Sequence, residues 1–357
     1  MRIAITHDYL NQFGGAERVL EIMLEAYPNA EIHTLFYDEN ELKGRFKENI
    51  KSTSILDKKT VRSRHRLFIP ALPIVSSLKH IGEYDLVISN SVGFAKAFKS
   101  SAKKHIYYCN ATLRYAWDPE THLVDFLPKP LLPIAKIAAS AMRAWDKHTG
   151  QKPNIIISNS EYTRERIKKF YGRDSELLHP PVDTDFFRPE PNADKKYYLA
   201  VGRLIPYKKF DLIIKAFNIL KLPLLIVGDG REYENLIKLN SSKETEFTGF
   251  INKPEELRLI YNKAKAFLFP QIEDFGLVAA EALACGTPVI GYNSAGAKEM
   301  VRNGENGILF NSQTPEDLVS AIKEFENNSF DPKIVSKTAE KFSKKEFIRK
   351  LKEICEN

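Results

Sequence analysis

The stretch AFLFPQIEDFGLVAAEALACGTPVIGYN, Ala266 to Asn293, decides the fold. It opens on a short apolar run ending at Phe269 and Pro270, of strand length and composition. A loop follows at Glu273 to Phe275. An alanine-rich run then starts near Gly276 and stops at Cys285-Gly286, as a helix does. TPVIGYN (287–293) is again a strand. Strand, loop, helix and strand joined by short connections build a parallel sheet with helices on its faces.

The same alternation extends in both directions. RIAITH (2–7), AEIHTLF (30–36), DLVISN (85–90), KHIYYCN (104–110) and NIIISNS (154–160) read as strands, with helices over AERVLEIMLEAY (16–27) and EYTRERIKKFYG. Ser160 is placed to cap the latter helix and Gly172 to stop it. The proline-rich ELLHPPVDTDFFRPEPNADKK then carries no sustained periodicity and reads as a linker. Beyond it the pattern restarts with KYYLAVG (196–202), PLLIVGDG (223–230), TEFTGF (245–250), AFLFP (266–270), TPVIGYN and GILFN (307–311) as strands, helices between them. FSKKEFIRKLKEICEN closes as an amphipathic helix. The expectation is two α/β domains.

Composition sets the bounds. The chain has 357 residues, 43% hydrophobic and 28% charged, ordinary for a globular protein large enough for two domains. No apolar run reaches the ~20 residues of a membrane span, and the first residues read as a strand and a turn. Three cysteines with no CxxC support neither a disulfide framework nor a zinc site. A reducing cytoplasm is expected. Within the net charge of +7, Lys58, Lys59, Arg62, Arg64 and Arg66 form a run without acids, followed by LFIPALPIV. This reads either as a contact with an anionic membrane surface or as a solvated face beside a buried segment. FLPKPLLPIAKIAASAMRAWDKH (126–148) is likewise a membrane-facing or a buried amphipathic helix. No nucleic-acid-binding motif accompanies the charge.

Ligands of open parallel sheets bind beyond the carboxyl ends of the strands. Gly14-Gly15, Asn110 to Arg114, Gly202-Arg203, Gly228 to Gly230 and the 270–276 loop all follow strands. A helix beginning near Gly276 offers unpaired N–H groups to phosphate, and the glycine lets a ligand approach. Glu273 precedes that helix and Glu281 lies in its second turn; they read either as a solvated carboxylate and an exposed helix-face residue or as contacts to opposite ends of an extended ligand. A nucleotide sugar fits, with sugar at Glu273, diphosphate at the helix start and ribose at Glu281. Arg203 and Lys208 are cations suited to a departing diphosphate. Gly228 and Gly230 give GxG, but Tyr233 replaces the third glycine, which argues against a dinucleotide oxidoreductase. Asp183-Thr184-Asp185 spells DxD, yet linker aspartates commonly cap turns. His7-Asp8 reads either as a paired base or as a turn aspartate beside a structural histidine.

In combination, GGAER, ISNSEYTRERI, HPPVDTDFF, VGRLIPYKKFDLII, LIVGDG, FTGF, PQIEDFGLVAAEALACGTPVI, SAGAKEMV and NGILF resemble glycosyltransferase family 4, nearly end to end. Within it, DYLNQFGGAERVL and LRYAWD are similar to mannosyltransferase-like enzymes of surface-polysaccharide assembly. The resemblance implies the GT-B fold: two Rossmann-like domains with parallel sheets facing across a cleft. Residues 1–185 would take the acceptor, 186–340 the nucleotide sugar, and 341–357 would form a helix returning to the first domain. It implies that Arg203 and Lys208 hold the diphosphate and Glu273 the transferred sugar. Backbone N–H groups of Phe275, Gly276 and Leu277 would seat sugar and phosphate, and Glu281 the ribose. Gly14 and Gly15 would admit the phosphates. Gly228, Gly230 and Phe250 would lie near the base. Arg114 and Trp117 would serve the acceptor side.

One departure stands out. Relatives carry CHTPxRYxWD, with a histidine that contacts the donor sugar. This chain has CNATLRYAWD, so Asn110 and Thr112 stand at the histidine and proline positions. Asn110 can still bond a hydroxyl but cannot titrate near neutral pH. The expected activity is retaining, metal-independent transfer of a hexose without a cofactor, mannose from GDP-mannose, onto a cell-surface or lipid-linked glycan. The alternatives are a UDP-sugar donor, or a nucleotide-sugar-binding protein that has lost turnover. The expected place is the cytoplasm, with peripheral contact to the inner membrane face.

Overall fold

The computed structural model describes residues 1–118 and 132–356. The chain divides into two compact units, Met1–His179 with Ile348–Asn357, and Pro180–Phe347.

In the first unit, seven strands form one sheet: β1 (Ile3–His7), β2 (Glu31–Thr34), β3 (Ile50–Ser52), β4 (His80–Ser91), β5 (Lys99–Cys109), β6 (Ile155–Ser158) and β7 (Glu176–Leu177). Their order is β3-β2-β1-β4-β5-β6-β7, and each recorded pairing is parallel. Ile5 of β1 lies between Ile32 and Ile88 and is fully buried. That explains the near-continuous apolar reading of this strand, since helices cover both faces of a parallel sheet.

In the second unit the strands are β8 (Tyr197–Val201), β9 (Leu224–Val227), β10 (Thr245–Gly249), β11 (Ala264–Phe269), β12 (Val289–Tyr292) and β13 (Gly307–Phe310). Their order is β10-β9-β8-β11-β12-β13, again with parallel pairings. The helix Leu277–Ala284 is buried on nearly every side, and its alanines let it sit close against Tyr261, Leu283's neighbours on β11, and Phe342. This accounts for its lack of an amphipathic pattern.

In each sheet the chain order reverses beside one strand pair, β1 with β4 and β8 with β11. Ligands of such sheets bind outside the strand ends at this reversal. The loops that follow these four strands carry His7 to Gly15, Asn90 to Ala95, Arg203 to Lys208, and Glu273 to Gly276.

Several expectations were too short. β4 and β5 extend backward from DLVISN and KHIYYCN, because His80 to Tyr84 pair with Lys99 to Ala102. That extension is largely polar and so carries no core signature. The linker residues Val182 and Phe187 are buried in the core of the second unit, and Val182 bridges to Ser343. The basic-apolar segment expected over 126–148 appears as the helix Leu132–Thr149; 126–131 lie outside the described residues. The last helix, Lys344–Glu356, ends with Lys104 Nζ donating to the carbonyls of Ile354 (2.9 Å) and Cys355 (3.0 Å). A cation there matches the negative end of the helix dipole. Among the described residues no helix is long and apolar enough to cross a membrane.

Candidate active site

The second unit gathers its expected residues on adjoining loops. Gly202 N donates to Val227 O (3.0 Å) and Leu204 N to Asp229 O (2.9 Å), so the loops after β8 and β9 run side by side. A Cβ on Gly228 would lie 1.9 Å from the Gly202 carbonyl oxygen, and one on Gly230 would lie 2.4 Å from that of Leu204. Both glycines are therefore required by backbone contact within the protein. Gly228 N also donates to Gly249 O (2.8 Å), which brings up Phe250, 69% exposed. An exposed ring at a strand's carboxyl end offers a flat apolar face.

Lys208 ends a short 3-10 turn, Pro206–Lys208, and its ammonium is ion-paired with Glu273 Oε1. Their side chains are only 11% and 14% exposed. Gln271 Nε2 lies 3.3 Å from the same carboxylate oxygen. Arg203 is exposed. Gly276, at φ 99°, starts the helix Leu277–Ala284, and a Cβ there would meet the Phe269 ring at 2.3 Å. The first N–H groups of a helix have no partner within it, and the cap of this helix, Gly276, stands three residues after Glu273. Phe275 turns inward, edge-on to Phe342 at 5.1 Å. Glu281 is 2% exposed, and its Oε2 accepts from Tyr261 Oη (3.0 Å). Leu277 is half-buried at the helix start. The DxD aspartates are otherwise engaged: Asp183 Oδ1 accepts from Phe186 N (3.0 Å), and Asp185 pairs with Lys345 (3.2 Å).

The first unit holds a second set. Gly14 caps the helix Gly15–Ala26, and its N–H donates to Glu17 Oε2 (2.8 Å). Asn110, just past β5, donates from Nδ2 to Asn90 Oδ1 (2.6 Å), while its carbonyl accepts from Asn159 Nδ2 (2.6 Å). The segment after Asn110 is pinned at every turn. Arg166 Nε donates to Thr112 Oγ1 (2.7 Å), Arg143 Nε to Ala116 O (2.6 Å), and Arg166 also pairs with Asp118. Trp117 stacks on Phe170 at 4.1 Å and donates to Asp146 Oδ2 (2.8 Å). Its indole is thus a packing element, whereas Arg114 sits half-buried at the start of the helix Arg114–Trp117. His7 and Asp8 do not pair. The Asp8 carboxylate accepts from Ser91 Oγ (2.7 Å) and the N–H groups of Val92 (2.6 Å), Phe94 (3.0 Å) and Ala95 (2.7 Å), which makes it the turn aspartate.

Residues 13–186 match the family described as Glycosyltransferase Family 4, and residues 181–346 match Glycosyl transferases group 1. The chain belongs to the family 4 glycosyltransferases. Its fold is GT-B, and it is a glycosyltransferase enzyme. It is 27% identical to the GDP-mannose-dependent alpha-(1-6)-phosphatidylinositol monomannoside mannosyltransferase of Mycolicibacterium smegmatis, over 90% of this chain and 87% of that one. The protein of the same name from Mycobacterium tuberculosis is 31% identical, over 54% of this chain and 56% of that one. Among solved structures, Anabaena HepE in complex with UDP superposes with a TM-score of 0.71 at 17% identity, over 99% of both chains. Sucrose-phosphate synthase from Thermosynechococcus elongatus gives 0.73 at 17%, over 99% and 98%.

Two features of this glycosyltransferase escape the sequence. Gly296 N donates to Glu273 O (3.0 Å), and a Cβ on Gly296 would lie 1.8 Å from the Phe275 carbonyl oxygen. The glycine of SAGAKEMV therefore supports the Glu273 loop from beneath. Its neighbour Ala295 has φ 45°, the left-handed region that an L side chain disfavours. A cavity of about 390 Å³ opens elsewhere, at the amino ends of β1 and β2, lined by Arg2, Glu31 and Tyr84 among others. Those three already bond one another, and the cavity contains none of the loop residues above.

Proposed function

We propose that this glycosyltransferase moves mannose from GDP-mannose onto a glycan or lipid-linked acceptor, with retention at the anomeric carbon and without a divalent metal or cofactor. The observation that carries the reading is the Lys208–Glu273 pair beside the glycine-started helix Leu277–Ala284. A carboxylate that accepts sugar hydroxyls and a cation that takes up charge on a departing diphosphate stand next to N–H groups suited to phosphate. Arg203, exposed on the neighbouring loop, adds a second cation for the diphosphate. The donor assignment is supported by the two mycobacterial relatives named for GDP-mannose. A UDP-sugar is the second donor class, supported by the Anabaena HepE structures in complex with UDP and UDP-glucose. Metal independence is supported by the engagement of the DxD aspartates in a turn cap and ion pairs.

On the second unit, Phe250 is assigned to the nucleotide base, the Phe275 to Leu277 backbone to sugar and phosphate, and Glu281 to the ribose. On the first, Gly14 and Gly15 are assigned to phosphate, Asn110 to a sugar hydroxyl, and Arg114 to the acceptor. A lipid-linked acceptor suits the exposed Leu67, Ile74 and Leu78, which share a segment with exposed Lys58, Lys59 and Arg64.

The test is a binding and turnover screen against GDP-, UDP- and ADP-sugars, with and without EDTA. GDP-mannose turnover unaffected by EDTA, giving a product of unchanged anomeric configuration by NMR, supports the reading. Binding of no nucleotide sugar overturns it. Glu273→Gln should lower mainly turnover and Glu281→Ala mainly donor affinity.

A further inference from the structure

A chain of buried polar groups joins the Gly14 turn to Asn110, and His7 stands in its middle. His7 is 3% exposed, Glu17 4% and Asn90 0%. From one end, Gly14 N donates to Glu17 Oε2 (2.8 Å), and Glu17 Oε1 lies 3.4 Å from His7 Nε2. From the other, Asn110 Nδ2 donates to Asn90 Oδ1 (2.6 Å), and Asn90 Nδ2 lies 3.2 Å from His7 Nδ1.

The proton positions follow by elimination. Asn90 Nδ2 is 2.9 Å from the carbonyl oxygen of Ala16, which can only accept. That fixes the orientation of the Asn90 carboxamide, with nitrogen toward Ala16 and His7 and oxygen toward Asn110. The second Asn90 hydrogen therefore points at His7 Nδ1, which must present a lone pair. The imidazole proton is then on Nε2 and faces the Glu17 carboxylate. A doubly protonated ring would set Nδ1–H against the Asn90 N–H. Every link has one direction of donation, and the two ends are residues assigned above to phosphate and sugar.

We propose that His7 is a positioning residue of this glycosyltransferase: a neutral Nε2–H imidazole that sets the Gly14 turn through Glu17 and the Asn110 carboxamide through Asn90. The inference rests on the proposed roles of Gly14 and Asn110. Asn110 is the residue assigned above to a sugar hydroxyl, and the chain behind it gives its amide a single orientation. Among the described residues its Oδ1 accepts no hydrogen bond, so that oxygen is left for a ligand hydroxyl.

Two substitutions divide the links. His7→Gln places an amide donor near the Nε2 position and removes the acceptor for Asn90. His7→Asn keeps an acceptor near the Nδ1 position and removes the donor to Glu17. Misplacing a contact group by about an ångström costs up to about 100-fold in rate. His7→Gln should therefore lower kcat about 10- to 100-fold with donor KM within about two-fold. His7→Asn should raise donor KM with a smaller change in kcat. Equal loss of kcat and KM in both variants, matched by equal loss of stability, overturns the proposal, as do wild-type constants in both.

An arm independent of turnover uses nitrogen NMR of the full chain. The expected result is one imidazole with bare Nδ1 and protonated Nε2 that disappears in both variants. The Asn110 side-chain amide signal should move in His7→Gln, and the Gly14 backbone amide signal in His7→Asn. A proton on Nδ1, or an Asn110 signal indifferent to His7→Gln, overturns the proposal. Absence of turnover with every nucleotide sugar in the wild type would instead sink the functional reading and leave this arm to decide the relay.

Discussion

Lys208 and Glu273 form an ion pair across two loops, one leaving β8 and the other leaving β11, at the reversal of strand order in the second unit. Neither side chain is freely solvated, so each charge is steadied in part by the other. An anionic donor changes that balance, because its diphosphate competes for Lys208 while its sugar hydroxyls can donate to Glu273. Lys208→Ala should lower turnover about 100- to 1,000-fold, the range seen when one preorganised partner of developing charge is removed. Glu273→Gln, which keeps volume and loses charge, should act mainly on kcat. Steady-state kinetics on both variants with the donor found by the screen check this, and near-wild-type kcat in either removes the pair from the mechanism. Thermal stability of the single and double variants gives the coupling between them.

Gly296 and Ala295 make opposite predictions at adjacent positions. A Cβ at 296 would meet the Phe275 carbonyl oxygen at 1.8 Å, a backbone atom that moves only with the Glu273 loop. Gly296→Ala should lower both stability and activity, with a loss of about 1–3 kcal/mol typical of overpacking. Ala295 already occupies φ 45°, at a cost of roughly 1–2 kcal/mol for an L residue. Ala295→Gly removes that strain and adds unfolded-state entropy worth about 0.4–1 kcal/mol, so the variant should be neutral or slightly stabilised. Urea denaturation of the two variants is decisive, and a stable Gly296→Ala enzyme with full turnover would contradict the packing argument.

The loops at the strand ends were legible because they pair local signals: an apolar run, then glycine or charge. Arg203, Lys208, Glu273 and Gly276 all stood out in this way. The order of the strands was not legible, since parallel pairings such as Ile5 with Ile88 join residues distant in sequence. Glycine is ambiguous for a related reason. Gly228 and Gly230 read as a GxG turn near the nucleotide base, and the structure shows that their missing side chains make way for the backbone at Gly202 and Leu204. His7-Asp8 read either as a paired base or as a turn aspartate beside a structural histidine, and sequence alone did not choose between them, although neighbouring residues at a strand end point apart. One bonds Glu17 and Asn90, and the other caps the turn at Val92 to Ala95. Buried polar networks of this kind have no periodic signature.

Lys96 and Asp146 are fully buried, 2.5 Å apart, and both are satisfied. Lys96 Nζ also donates to Gly93 O (2.6 Å) and lies over the Tyr107 and Trp145 rings at 5.4 and 5.3 Å. Asp146 Oδ2 accepts from Trp117 Nε1 (2.8 Å) and Tyr171 Oη (2.9 Å). Removing one partner leaves the other charge buried alone, which costs about 3–5 kcal/mol. Lys96→Met should therefore destabilise the protein by that amount, while Lys96→Met with Asp146→Leu should recover part of it. Because the Trp145 ring loses its overlying cation in both variants and Trp117 loses its acceptor only when Asp146 changes, indole fluorescence should shift further in the double variant than in Lys96→Met. Equal stability of the single variant and the wild type would show that the pair is not needed.

His33 and His105 make stability depend on pH. Burial, followed by the charge of Lys79, lowers the His33 pKa from 6.5 to about 4. Burial, followed by the charges of Lys152 and Lys96, lowers that of His105 to about 4. Both imidazoles are bonded in the fold, His33 to Ser52 Oγ (2.7 Å) and Tyr84 Oη (2.8 Å), and His105 to Ser89 Oγ (2.7 Å). Between pH 6.5 and 4 the unfolded chain binds protons at these rings that the folded chain does not, so stability falls as pH falls through that window. Above pH 6.5 both states are neutral at these sites and their contribution is constant. The loss should reach the order of 3 kcal/mol for each histidine by pH 4, at 1.36 kcal/mol per pKa unit. Urea midpoints measured from pH 7.5 to 4 should show this slope, and it should halve in His33→Asn. A midpoint independent of pH across the window would mean that these rings are protonated in the fold as readily as in the unfolded chain.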